Sequence, residues 1–152
     1  MKTNVYYLDQ KYNVNEKKRC VHCRLTFGIK MHNIPGIDML ERNDEFLAFM
    51  DYITDIDSIG EYDNEKNMFV ATVEAMSRCD DSDVFDEDFG RKLALTRAQK
   101  HAFSLASLFY QEIKMILAKT LKELNDFEFN CDVSKENCQQ HCWDLIEQIK
   151  SE

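Results

Sequence analysis

The chain has one proline and four glycines in 152 residues, and all five lie at or before residue 90. Proline and glycine are the residues that end helices most often. Their absence after Gly90 excludes a loop-rich second half, so residues 91–152 are predicted to be largely helical. The turns and strands therefore fall in the first part of the chain.

The sequence also lacks an excess of basic residues and any long apolar run. Its formal net charge is −9, which argues against direct binding of nucleic acid, because phosphates attract a basic surface. No run has the length of a membrane span, and the first apolar run, VYYL, is too short for the core of a signal peptide. We expect a single domain over residues 1–152, located in the cytoplasm of the host cell without membrane contact.

A second CxxC motif is missing, although Cys20 and Cys23 in CVHC have a spacing known from zinc sites. The six cysteines are predicted to be free thiols in a reducing compartment. Two alternatives remain for the C-terminal cysteines. A zinc site would add the side chains of Cys131, Cys138, His141 and Cys142. The favoured alternative is an apolar helical stripe with thiols as small hydrophobes, made of Cys138, Cys142, Leu145 and Ile149. We therefore expect no metal and no cofactor.

Alternating apolar residues in the first part predict strands. In RCVHCRLTFGIKM every second side chain from Val21 to Met31 is apolar, and NMFVATVEAMSRC repeats the pattern. With NVYYL, they give strands at 4–8, 19–31 and 67–79, joined in a small antiparallel sheet. The insertion between the long strands contains a helix at 43–54, capped by Asn43. The fold class is α+β, with the sheet followed by a long helix and a C-terminal helix.

The helical part is predicted as two helices, 86–124 and 134–150. In the first, Gly90, Ala94, Ala98, Ala102 and Ala106 recur every four residues and form a small-residue face for close packing. A helix from 87 to 124 would be about 57 Å long, whereas a domain of this size is roughly 30–35 Å across. Either the helix breaks near Ser104–Ser107, or it packs on another subunit. Both outcomes favour a homo-oligomer, with Phe109 on the predicted contact surface.

The segment 80–103 changes the sign of its charge at Phe89-Gly90. The acids at 80–88 suit a turn and a helix start, where they cap free N–H groups. The basic residues that follow have two interpretations, a solvated face with salt bridges or an anion-binding pocket. The pocket would be formed by Arg78, Phe89, Arg91, Arg97, Lys100 and Phe103. No catalytic residue is indicated, since no nucleophile–base motif is present.

Residues 67–106 resemble small phage and prophage proteins that open a helix with F-D-x-x-x-G-x-x-x-A-x-x-R-A. The residues that carry the pattern here are Phe85, Asp86, Gly90, Ala94, Arg97 and Ala98. Among such proteins, the segment is similar to the first family of Thoeris anti-defence proteins. The resemblance implies a non-enzymatic sponge that sequesters a cyclic nucleotide immune signal of the cyclic ADP-ribose type, assembled as an oligomer with ligand sites between subunits.

Two other functions remain open. The net charge and the acidic segments 38–65 and 80–88 suit an inhibitor that occupies the basic groove of a nucleic-acid-binding defence protein, in the manner of an anti-CRISPR. A structural or regulatory phage protein without a small ligand is the third possibility. An enzyme is the class that the sequence favours least.

Overall fold

The computed structural model of the protein describes residues 3–55 and 60–151, and the side chains of 55 and 148–151 lie outside this description. The chain divides into two compact units, Met1–Ile113 and Lys114–Glu152. The main elements in chain order are β1 (Val5–Asn15), β2 (Cys20–Lys30), α1 (Asp44–Asp55), β3 (Gly60–Asp63), β4 (Met68–Arg78) and α2 (Glu87–Ser151). Two short 3-10 turns, Met31–Asn33 and Ile37–Met39, lead from β2 to α1.

The four strands form one antiparallel sheet in the order β1-β2-β4-β3. This confirms the α+β class. The N-terminal strand lies at an edge, and it extends to Asn15 where the sequence predicts an end at residue 8. Its second half is polar because an edge strand buries little, although β2 still supplies backbone partners to its end. The short strand β3 falls within the acidic segment 38–65, where the sequence predicts no strand.

The core forms on one face of the sheet, as the alternating pattern predicts. Every second residue of β2 from Val21 to Ile29 is at most 1% exposed, while His22 and Arg24 on the other face are exposed. On that outer face Arg24 Nε donates to Glu74 Oε1 at 2.8 Å, and the Thr26 and Thr72 hydroxyls lie 3.0 Å apart. The sheet therefore has one face for packing and one face of paired polar side chains.

The small-residue face of α2 covers this core. Ala94, Ala98 and Ala102 are fully buried. A Cβ on Gly90 would lie 2.9 Å from Val21 Cγ2, so a glycine is needed where the helix comes closest to the sheet. The Ser77 hydroxyl, buried at the same point, donates to the Gly90 carbonyl at 2.7 Å. Small side chains thus let the helix backbone approach the strands closely.

Phe109 is a core residue and does not form the predicted contact surface for another subunit. It is 4% exposed, and its ring stacks on Phe69 with centroids 5.1 Å apart. Phe49 of α1 contacts the same ring at 5.7 Å. The helix up to Ile113 therefore packs within its own chain, and a charge at Phe109 would damage folding before assembly.

The predicted insertion helix is present as α1. The Asn43 side chain accepts a hydrogen bond from the Phe46 amide at 3.0 Å, which is the predicted cap. Phe46 and Ile53 are buried beneath it, whereas Leu47 remains exposed. The insertion therefore adds a small apolar layer at one end of the sheet. Residues 56–59, which follow this helix in the sequence, lie outside the described residues.

The long helix does not divide into 86–124 and 134–150. It runs from Glu87 to Ser151 as one element, because residues 125–133 contain neither glycine nor proline. At the predicted break, the Ser104 hydroxyl donates to the Lys100 carbonyl at 3.0 Å, so this serine is satisfied within the helix. Among the described residues, no helix is apolar over a length that would cross a bilayer.

The close packing of α2 on the sheet can be tested at Ala98. Ala98→Leu should lower the free energy of unfolding by about 1–3 kcal/mol, because added methylenes have no space there. Thr96→Leu is the matched control on the exposed side of the helix, and it should change stability by less than about 0.5 kcal/mol. Denaturant unfolding measures both, and an equal effect of the two would contradict this packing.

Candidate functional site

Arg19, in the turn before β2, holds the acidic junction between β4 and α2 in place. Its guanidinium donates to the carbonyl of Asp81 at 2.8 Å and to the carbonyl of Asp83, and its own carbonyl accepts from the Cys79 amide at 2.9 Å. No pattern in the sequence indicated this role of Arg19. The pairing of β2 with β4, which ends at Cys20 opposite Arg78, is the signal that would have placed it there.

The acids of the junction cap and order the helix start, as expected from the sequence. Asp86 Oδ1 accepts from the Phe89 amide at 2.9 Å, and Glu87 pairs with Arg91 at 2.6 Å. Asp80 accepts from the amide and the hydroxyl of Ser82 at 3.1 and 2.9 Å. These hydrogen bonds stabilise the carboxylate and hold the pKa of Asp80 below its ordinary value.

Two of the predicted ligand-binding arginines lie on opposite flanks of α2. The guanidinium carbon of Arg91 is 5.2 Å from the ring centre of Tyr12 on β1, while Arg97 Nη1 donates to the Met76 carbonyl of β4 at 2.8 Å. Strand β2 separates these strands, which places them about 10 Å apart. The two arginines therefore do not converge on one phosphate within a single chain.

The bond of Arg97 to β4 lies beside a similar contact made by His101. β3 pairs with β4 only from Met68 to Ala71, and within residues 3–55 and 60–151 no other strand pairs with β4 on that side. The His101 ring nitrogen Nδ1 lies 3.0 Å from the Glu74 carbonyl and Arg97 bonds the Met76 carbonyl. These carbonyls are two residues apart and point the same way. Side chains of α2 thus occupy the open edge of the sheet.

The other predicted ligand residues form two separate pairs. Arg78 and Phe89 line a cavity of about 270 Å³ at the junction, which they share with Asp80, Asp83 and Asp86. Lys100 and Phe103 line an open hollow of about 760 Å³ on the outward side of α2. The first cavity is surrounded by carboxylates, which disfavours an anion. The six residues therefore lie in four places.

Exposed apolar side chains at the junction are the feature that the charge pattern concealed. Val84 is 91% exposed and Phe89 is 64% exposed, and both line the same cavity. The backbone around them is held by Arg19 and by the Asp86 cap. We call Val84, Phe89 and the acids at 80–88 the junction patch. The apolar pair Val84-Phe85 within an acidic run was the available sequence signal.

The six cysteines are free thiols; Cys79 is half-buried, and the other five lie in two settings. Cys20 and Cys23 are buried, while Cys131, Cys138 and Cys142 are exposed. Burial raises the pKa of the Cys23 thiol, which keeps it protonated and makes it a poor metal ligand. In the part of the chain that the structure describes, no three or more cysteine, histidine or acidic side chains come together as a metal site. Cys138 and Cys142 do share a helical face, although that face is exposed; Ile149 lies outside the described side chains.

No protein-family model, curated protein or solved structure matches this chain. The similarity of residues 67–106 to Thoeris anti-defence proteins therefore stays a hypothesis.

The role of Arg97 and His101 at the sheet edge gives a test. The double variant Arg97→Ala/His101→Ala should lower the free energy of unfolding by about 1–2 kcal/mol, because it removes two hydrogen bonds. It should also promote aggregation on concentration, since an open strand edge pairs with other chains.

The matched control is Lys92→Ala/Lys100→Ala, which removes two exposed cations from the same helix. It should change stability by less than about 0.5 kcal/mol and leave light scattering unchanged. Equal behaviour of both double variants would rule out a specific role at the edge.

Proposed function

We propose that the protein is a non-catalytic binding protein whose junction patch docks on a basic surface of a partner protein. The observation that carries this proposal is the exposure of Val84 and Phe89 on a segment whose backbone is held in place. Apolar side chains surrounded by a polar rim are the usual anatomy of a protein-binding surface.

The junction patch is ordered before any partner binds, which favours affinity. The Arg19 bonds to the carbonyls of Asp81 and Asp83, and the Asp86 cap, fix the loop on both sides of Val84. A loop that is already held loses little conformational freedom on binding. The contacts made by Val84 and Phe89 would therefore contribute directly to the binding free energy.

The charge of the junction patch indicates the chemistry of the partner. Six acids lie at 80–88, and the three arginines beside them, Arg19, Arg78 and Arg91, leave an acidic balance. Such a surface attracts a basic one and repels nucleic acid. The groove in which a nucleic-acid-binding protein holds its ligand is such a basic surface. Together with the resemblance to phage anti-defence proteins, this supports inhibition of a host defence protein at its nucleic-acid site.

The first test compares variants of the exposed apolar pair. Phe89→Ala and Val84→Ala should each weaken the capture of a basic protein from a bacterial host lysate, because each removes a contact at the centre of the patch. The captured protein should be a nucleic-acid binder, and added DNA should displace the wild-type chain from it. Crosslinking with mass spectrometry identifies the partner, and calorimetry measures the affinity.

Leu108→Ala is the matched control, since Leu108 is a 59% exposed apolar residue on α2 away from the junction. It should leave capture unchanged. Capture that is equally strong in all variants, or a partner that binds together with its DNA, would refute the proposed docking.

A cyclic nucleotide sponge is the second candidate, favoured by one observation. Lys100 and Phe103 share a hollow with the hydroxyls of Ser104 and Ser107, and the Phe103 ring meets Tyr7 edge-on at 6.4 Å. A cation beside an aromatic ring suits a phosphate and a base. Because Arg91 and Arg97 lie on separate flanks of α2, the ligand would be bound by the residues of this hollow without them.

Calorimetry with cyclic ADP-ribose isomers and cyclic dinucleotides separates the two functions. If the protein acts by docking on a partner protein, none of these nucleotides should give binding heat. The sponge function expects binding that is lost in Lys100→Ala and Phe103→Ala and retained in Phe89→Ala. Binding heat in the wild type that is lost in Lys100→Ala and Phe103→Ala would refute the protein-docking function and support the sponge function.

A further inference from the structure

The second unit of the chain carries an apolar seam with heptad spacing. From Leu117 to Leu145, nine positions follow the alternating steps of four and three residues that define a coiled-coil seam. Seven of the nine are apolar: Leu117, Leu121, Leu124, Cys131, Cys138, Cys142 and Leu145. From Leu121 to Glu147 every side chain of the helix is exposed. A single helix with such a seam is stabilised when another helix covers it.

The two other seam positions hold opposite charges, Glu128 and Lys135. In a parallel pair of identical helices, Glu128 would face Glu128 and Lys135 would face Lys135, and each such pair of like charges is unfavourable. In an antiparallel pair the two positions of each seam layer come from different heptad classes, so neither residue faces its own copy. The charges therefore select an antiparallel arrangement with a second copy of this chain.

One antiparallel register matches both the charges and the extent of the unit. When two copies cross at Val133, Leu121 faces Leu145 and Leu124 faces Cys142 of the other copy. Glu128 then lies one layer, about 5 Å along the axis, from Lys135 of the other copy. Val133 is also the midpoint of the unit Lys114–Glu152, so this register pairs the helix of that unit over its whole length.

We propose that the second unit forms an antiparallel two-helix coiled coil with a second copy of the chain, centred at Val133. The seam of one copy covers the seam of the other, and two symmetric Glu128–Lys135 pairs fix direction and register. This dimer is independent of the junction patch, which lies in the first unit. The protein would therefore present two junction patches per assembly.

Disulfide trapping in the full chain tests direction and register together. The parent variant carries Cys131→Ser and Cys138→Ser and keeps Cys142. Adding Leu124→Cys should give a covalent dimer on mild oxidation, in which mass spectrometry maps the introduced thiol of one copy to Cys142 of the other. The parent should give none through Cys142, because the two copies of that thiol lie about 27 Å apart in this register.

Charge exchange provides the second measurement. Glu128→Lys should weaken dimerisation about tenfold or more in sedimentation experiments, since it places like charges side by side. The double variant Glu128→Lys/Lys135→Glu should restore it. Helix content by circular dichroism identifies any variant that has lost its fold. If Glu128→Lys has lost its fold, the single variant Lys135→Glu takes its place in the comparison with the double variant.

A Cys142–Cys142 link in the parent would show parallel pairing and overturn the proposal. It would equally be overturned by a wild type that sediments as a monomer or as more than two chains at micromolar concentration, by failure of the Leu124→Cys variant to form covalent dimers, or by a double variant that stays weak.

Discussion

The close approach of α2 to the sheet at Gly90 is the constraint on which the first unit depends. Val21 leaves no space for a side chain there, and the alanines of the next four turns, from Ala94 to Ala106, are buried as well. This contact fixes the rotation of the helix about its axis. It therefore decides that Arg91 reaches β1 and Arg97 reaches β4, and that the junction before Gly90 has a defined start.

The reversal of charge at Phe89-Gly90 follows from the same arrangement. The acids lie before the helix and in its first turn, where Asp86 accepts from the Phe89 amide. Arg91 and Arg97 lie within the helix and contact the Glu87 carboxylate and the Met76 carbonyl. Each charge type thus has a local structural role. The exposed side chains of Val84 and Phe89 have no such structural role. Their exposure supports the binding function proposed for the junction.

The sequence predicted the parts whose signal is local. Alternation gave β2 and β4, the four-residue repeat gave the buried face of α2, and the caps Asn43 and Asp86 marked helix starts. It did not predict β3 or the polar half of β1, because edge strands gain their stability from a neighbour's backbone. The sequence placed Arg91 and Arg97 in one predicted pocket. The structure separates them because they reach different strands, and the order of the strands cannot be derived from residue spacing along one helix.

The open edge of β4 also has a consequence for synthesis of the chain. The carbonyls of Glu74 and Met76 are translated well before their partners Arg97 and His101. During that interval the ribosome-bound chain carries an unprotected strand edge that can pair with a neighbouring nascent chain. Rapid, local formation of the first turns of α2 would end the interval, since helices form faster than sheets. The alanine-rich start of α2 would then limit co-translational misassembly as well as pack the core.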